Sequence, residues 1–315
     1  MNTDSLCGAR IRPDQTAKFC ERLARDGMEP HFAQATAKMR PDFRKWADAK
    51  WQAKPQCFLW DAEIKLYGKM LPSWIQKIGV CIGMGHGRAW QDSIYWQQAF
   101  GVAPFMPLEL AWEFTYTMSR NLPGKERWKG DGSVGAWAAE AGHDYGMLLR
   151  GQYGTIDLTR QREDLAAKWA ESSVPQQLKN EAGGKRAESV MLCKTVDDVR
   201  RALVAGYGVA RCADRATRAQ RDADGFCGIQ SSGGHCQALR GVFENRKGRT
   251  LFVEQQSWPG TAAPHGGGPL KLYDGSTREL PEGAGAISED DVQYYLTHGE
   301  VWAMAPPREM WRVAG

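Results

Sequence analysis

Long apolar runs are missing from this chain of 315 residues. No window approaches the roughly 18 consecutive apolar residues of a helical membrane span, so no membrane partner is expected. The first 27 residues also lack an apolar core and carry Arg10, Arg12, Lys18, Arg22 and Arg25. That pattern argues against a secretory signal or a lipid anchor and places the chain in a cytoplasm. An excess of one charge is missing too: 41 Lys and Arg against 37 Asp and Glu leave only +4. Neutralising phosphates is therefore not its purpose, and no nucleic-acid partner is expected. Arg211, Arg215, Arg218 and Arg221 are interleaved with Asp214 and Asp222, as in an exposed loop rather than a basic patch.

Paired cysteine spacing is absent as well. The eight cysteines, at 7, 20, 57, 81, 193, 212, 227 and 236, contain no Cys-x-x-Cys, so all eight are expected to be reduced thiols. Cys227, His235 and Cys236 match no usual zinc spacing, and Asp222-Ala-Asp-Gly225 lacks the remaining ligands of a calcium loop. No metal and no cofactor are called for. Repeats and low-complexity linkers are also missing.

What is abundant is glycine, 35 residues, and tryptophan, 13 residues. Tryptophan fills large cores or grooves, and glycine marks places where backbone turns or approaches closely. Trp74, Trp90, Trp96, Trp137 and Trp258 are read mostly as core, with Trp258 shielding a neighbouring hydrogen bond. Composition shifts twice and defines three regions. Residues 1–60 read as a polar helical extension, with Asp14 positioned to cap Gln15–Arg25 and with Pro30 and Pro41 as breaks. Residues 61–185 remain mainly helical, with apolar helical spacing in 82–100 and 134–149. Residues 186–315 favour short strands, among them Val209–Cys212, Cys236–Phe243 and Leu251–Gln255. The fold class is α+β, a helical lobe followed by an antiparallel β lobe.

In the first lobe, Gln76-Lys-Ile-Gly-Val-Cys81-Ile-Gly-Met-Gly-His-Gly87 leads from a loop into helical spacing. A thiol at such a helix start feels the positive end of the helix dipole, which favours thiolate. Gly83, Gly85 and Gly87 each cost about 1 kcal/mol in a helix relative to alanine. Close approach of another lobe or of a substrate chain is the expected compensation. His86 reads as a groove or interlobe histidine.

In the second lobe, Ser231-Ser-Gly-Gly-His235-Cys236 reads as a glycine turn launching a strand, and Thr250–Gln256 as its antiparallel partner. If Asn245 pairs with Gly248 across the turn, Gln256 falls opposite Gln237 and diagonal to His235. A diagonal pair of this kind lies within reach of a long amide and an imidazole. Gln256 is thereby expected to orient His235.

These residues resemble the papain-like cysteine peptidases over nearly all of 61–315. Gln76 before Cys81 resembles the oxyanion-hole glutamine and nucleophile. Gly233-Gly234-His235 resembles the segment carrying the general base, and Gln256-Ser-Trp258 the segment that orients it. Gly130–Trp137 leading to Ala141–Gly146 resembles the second helix and the loop beside the groove; Asp197–Leu203, Gly208–Arg211 and 287–302 resemble the later β-lobe elements. The sequence departs from the family at four points: Gln76 lies five positions before Cys81 rather than six, Ile82 stands for Trp, Gln256 for Asn, and Pro259 interrupts Ser-Trp-Gly.

The resemblance implies the papain-like two-lobe fold and attack of Cys81 on a peptide or related amide carbonyl through an acyl-enzyme. It assigns His235 as base, Gln256 as orienter and Gln76 as oxyanion donor, with Gly83, Gly234 and Trp258 in supporting roles. The partner is then a peptide or protein substrate. The alternative is a silent papain-like module, such as a bacteriophage virion component held by neighbouring subunits, with Cys81 a buried structural thiol. Residues 1–60 are too short and too poor in long helices for an inhibitory propeptide, so they are expected to make no contact with Cys81.

Overall fold

The structure, a computed structural model, describes residues 8–101, 108–122, 130–230, 233–258 and 264–305. The Ser231–Ser232 part of the glycine turn, Pro259 and Cys7 lie outside the described residues. The chain begins with β1 (Ala9–Arg10), α1 (Pro13–Arg25), α2 (Phe32–Met39), α3 (Phe43–Ala53) and β2 (Gln56–Phe58). The helical lobe follows: α4 (Trp60–Tyr67), α5 (Cys81–Phe100), α6 (Trp112–Asn121), β3 (Ser133–Val134), α7 (Gly135–Asp144), the short pair β4 (Gln152–Tyr153) and β5 (Ile156–Asp157), α8 (Glu163–Glu171) and α9 (Gln176–Gly183). The β lobe holds β6 (Ser189–Leu192), α10 (Val196–Val204), β7 (Gly208–Ala213), β8 (His235–Glu244), β9 (Thr250–Gln255), β10 (Leu270–Lys271), β11 (Thr277–Arg278), β12 (Ala284–Ser288), α11 (Glu289–His298) and β13 (Glu300–Ala305). Its main sheet runs β12-β9-β8-β7-β13-β6, with β2 added alongside β8. The strand pairs within it are antiparallel.

Local signals explain the β-lobe helices. Thr195 caps α10 and Ser288 caps α11, each in a reciprocal capping box with an aspartate three residues on, Asp198 and Asp291. Such a box satisfies two otherwise orphaned backbone donors at a helix start. Among the described residues, no helix is long and apolar enough to cross a membrane.

Helix α5 is the hub, and its glycines show why. A Cβ at Gly83 would stand 2.5 Å from the Cβ of Tyr116 and 2.8 Å from the Trp112 carbonyl oxygen. One at Gly85 would stand 2.8 Å from the Cys236 sulfur on β8. Bare helix backbone thus meets α6 on one side and the β lobe on the other. The expected approach of another lobe is found at Gly85, whereas Gly83 serves packing inside the helical lobe. Gly83→Ala sets a helix-propensity gain of about 1 kcal/mol against an overpacking cost of about 1–3 kcal/mol. Because the obstructing atoms include backbone, the cost wins, and urea unfolding is expected to show a net loss of up to about 2 kcal/mol.

A buried ion network fastens the lobes beneath the site. Arg240, at the irregularity between Leu239 and Gly241 in β8, donates to both oxygens of Asp92 on α5, at 2.8 and 2.7 Å, and to Glu63 on α4 at 2.7 Å. It also reaches Gln255 Oε1 at 2.7 Å. All three charged groups are fully buried. Mutual pairing is what makes that burial tolerable.

The first 60 residues do not dock as one piece. Phe19 and Leu23 of α1 enter the helical-lobe core, while Phe32, Phe43 and Ala47 enter the β-lobe core. Strand β2 extends the main sheet by pairing with Gly241–Phe243. This segment straddles both lobes, which α4 and α5 then join from inside.

Candidate active site

Cys81 is the first residue of α5, preceded by Val80, which gives no side-chain cap. The loop before it is held from both lobes. Gln76 N–H donates to the Ser257 carbonyl at 2.7 Å, and Ser257 Oγ donates to Gln76 Oε1 at 2.5 Å. Lys77 N–H donates to Glu163 at 2.6 Å and Gly79 N–H to Asp131 at 2.9 Å. With its oxygen engaged by Ser257, the Gln76 amide is fixed with Nε2 as the donor end, 3.2 Å from the Ile78 carbonyl oxygen.

His235 opens β8 and faces Ala213 of β7. Its ring stacks on Trp258, with centroids 4.4 Å apart and planes 29° apart. Burial holds its pKa well below the usual histidine range, and the Arg211 charge adds to this; the adjacent Gln256 side chain pulls the other way. Burial thus favours the neutral imidazole. Neither ring nitrogen has a hydrogen-bond partner among the described residues. Gln256 Nε2 donates to the Thr217 carbonyl at 3.1 Å, leaving Oε1 as the end of the amide without a partner there. Thr217 is itself fixed from two sides: its hydroxyl bonds Glu254, the buried ion partner of Arg211, and accepts from Gln237 at 2.7 Å.

The hairpin reaches the expected pairing by another route. The turn pairs Asn245 with Arg249, and Glu244 faces Thr250 rather than Arg249. The irregularity at Arg240 absorbs one residue, so that Ala238 faces Gln255, and the register, continued, sets Gln237 opposite Gln256. A β-bulge is the device that shifts one strand against its partner in this way.

One expectation is overturned. The N-terminal segment does reach the surroundings of Cys81: Ala9 and Ile11 pack on the cluster of Cys81, Ile82, Ala138, Cys212 and Cys236. Strand β1 runs parallel to β3. Gly8 accepts from Ser133 N–H at 2.8 Å, and Ala9 N–H donates to the Gly234 carbonyl at 3.3 Å. A side chain at Gly8 would run into the Gly79 carbonyl, and a Cβ at Gly234 would stand 2.6 Å from the Ala9 carbonyl oxygen. Composition gave no hint of this, because four residues of extended backbone suffice to cover the seam and helix content is irrelevant to them. Cys81 retains no exposed surface.

Two groups of the expected residues are thus seen: His235 stacked on Trp258, and Gln76 tied to Ser257, the residue after Gln256; Cys81 sits in the cluster that holds Cys236, the residue after His235. Gly83 faces away, into α6. Reasoning along the chain missed a second grouping. His86 Nε2 lies 3.7 Å from Cys212 Sγ, which is 2.7 Å from Cys236 Sγ, and all three residues are buried. Cys227 does not join them; its thiol donates to the Ala286 carbonyl at 3.4 Å.

Two solved structures share this architecture. Xylellain, a cysteine protease from Xylella fastidiosa, superposes with a TM-score of 0.52 over 81% of this chain and 87% of its own, at 13% identity. The chain has the papain-like fold. The structure of the cysteine protease and lectin-like domains of Cwp84, a surface layer associated protein of Clostridium difficile, superposes with a TM-score of 0.50 over 76% of this chain and 49% of its own, at 12% identity. No family model matches the sequence, and no curated protein matches it. The papain-like likeness thus resides in the backbone, where two lobes meet along α5.

Proposed function

We propose that the chain is a papain-like cysteine peptidase described here in a covered, latent form. The observation that carries this reading is the extended segment Gly8–Ile11, packed on the cluster that holds Cys81 and hydrogen-bonded through Gly8 to Ser133 of one lobe and through Ala9 to Gly234 of the other. A seam that holds such a backbone beside a helix-start thiol and a buried imidazole is built to receive a peptide substrate.

In the mechanism, His235 takes the Cys81 proton, and the thiolate, favoured by the start of α5, attacks the substrate carbonyl. Gln256 is a positioning residue: with Nε2 engaged by Thr217, its Oε1 is the end able to accept from a ring N–H and hold one tautomer. Trp258 covers that pair from water. The oxyanion is met by Gln76 Nε2, whose orientation Ser257 fixes, and by the Cys81 N–H, which at the first position of the helix has no intrahelical acceptor. His235 then gives its proton to the leaving amine, and water, deprotonated by the same ring, releases the acyl group. The substrate class is an extended peptide or related amide.

The test uses a chain uncovered by Gly8→Val, a side chain for which the seated strand has no room. Incubated with an unfolded, disulfide-free protein, the uncovered chain is expected to release peptide fragments and to form a mass adduct at Cys81 on rapid quenching. Cys81→Ala in the same background is expected to do neither. Equal fragment release from both would end the peptidase reading.

A further inference from the structure

Cys212 and Cys236 have no part in the hydrolysis proposed above. They face each other directly across β7 and β8, and their sulfurs stand 2.7 Å apart. Facing residues on antiparallel strands have Cα atoms about 4.5–5.5 Å apart, within the span a disulfide bridges. Other thiols here behave differently: Cys57 donates to the Leu203 carbonyl at 3.2 Å, as Cys227 does to Ala286. A cavity of about 20 Å³, bordered by Cys236, Gly85, Arg88 and Gln256, has room beside Cys236 for a reagent about the size of a water molecule.

We propose that Cys212 and Cys236 are a redox-modification site, closed to a reversible disulfide by a small hydroperoxide beneath the substrate seam. The Cys236 thiolate attacks one peroxide oxygen, the O–O bond breaks, hydroxide leaves and a sulfenic acid forms. The Cys212 thiol then attacks that sulfur; the S–S bond forms, the S–O bond breaks, and the thiol proton leaves with the oxygen as water. In sum, two thiols and one hydrogen peroxide give one disulfide and two waters. His86 supports the first step from the same cluster: its Nε2 lies 3.7 Å from Cys212 Sγ, and its ring reaches within 4.8 Å of Cys236 Sγ. Burial pushes the Cys236 pKa up, but the Cys212 S–H and then His86 pull it below the usual thiol range, while burial pushes Cys212 up.

The same three donors lie within 4.8 Å of one another, a spacing a soft metal could use. Two features favour oxidation instead. Zinc–sulfur bonds of about 2.3 Å in a tetrahedral site hold two sulfurs roughly 3.8 Å apart. The two sulfurs stand 2.7 Å apart, closer than a shared zinc ion would hold them. Moreover, His86 Nδ1 has no partner among the described residues, whereas a metal-bound imidazole ordinarily donates from its second nitrogen.

The experiment exposes the intact chain to hydrogen peroxide at a dose that converts exposed Met39 to its sulfoxide, then alkylates under denaturing conditions and maps peptides without reductant. The expected result is loss of two thiols together, a peptide pair linked through 212 and 236, and full return of both thiols with dithiothreitol. Cys81→Ala is expected to leave the linkage unchanged, which separates this site from the peptidase reading, and His86→Gln to slow its formation several-fold. The proposal is overturned if both cysteines are still alkylated at that dose, if Cys236 ends as sulfinic acid without a link, or if the purified chain carries stoichiometric zinc that must be stripped before oxidation occurs.

Discussion

Replacing Gly8 with valine is expected to raise the rate at which Cys81 takes up a dilute thiol electrophile about a hundredfold. The covering strand is held by two backbone hydrogen bonds, Ser133 to Gly8 and Ala9 to Gly234, each worth about 1 kcal/mol net, and by burial of Ala9 and Ile11 against the Cys81 cluster. Valine cannot be seated, because its Cβ would overlap the Gly79 carbonyl, which as backbone does not yield like the end of a flexible side chain. Losing about 3 kcal/mol of cover corresponds to about two decades in the open population. Alkylation kinetics of the Cys81 peptide, read by mass, check this. An unchanged rate would show that the strand does not limit access.

The cover should also loosen in acid. Closed, His235 keeps its proton affinity well below the usual range through burial and the Arg211 charge. Opened to water, the ring returns toward about 6.5. The open form therefore binds more protons between the closed-state pKa and about 6.5, and acidification through that window favours it by up to about tenfold per pH unit. Hydrogen exchange at the Ala9 and Ser133 amides, corrected for intrinsic rates, is expected to lose protection from pH 7 to pH 5 in the native chain. In Gly8→Val it should be unprotected throughout.

Much of the fold could be read along the chain because its signals are local. The helix start at Cys81, the strands around 209, 236 and 251, and the order of the lobes follow from periodicity and glycine placement. What escaped depends on contacts between distant segments. Cys212 and Cys236 lie on strands that were legible individually, but 21 residues separate β7 from β8, and no tight turn sets their register as the Asn245 turn does for β8 and β9. The bulge at Arg240 is driven by a buried charge reaching Asp92 and Glu63, a tertiary demand that leaves no periodic trace. Covering of Cys81 by residues 8–11 rests on backbone hydrogen bonds, for which side-chain identity is nearly silent apart from Gly8 itself. The expectation that residues 1–60 keep clear of Cys81 took no account of such backbone contacts.

In the uncovered background, His235→Ala is expected to lower peptide turnover by about a thousandfold, the middle of the range for loss of a general acid–base group. The same substitution should move the pH dependence of Cys81 alkylation toward that of an unperturbed thiol, with a midpoint near 8.5. Gln256→Ala removes only the group that holds the ring. The Trp258 stack at 4.4 Å still restrains the imidazole, so the expected loss is about tenfold in turnover, well short of the hundredfold that a 1 Å misplacement can cost. Gln256→Asn shortens the amide by one methylene, while Thr217 still offers its carbonyl to the nitrogen. If Gln256 acts through ring orientation, Asn should recover part of the turnover and leave the alkylation midpoint near that of the parent. A chain in which all three substitutions leave both turnover and midpoint unchanged would have a papain-like fold without its chemistry.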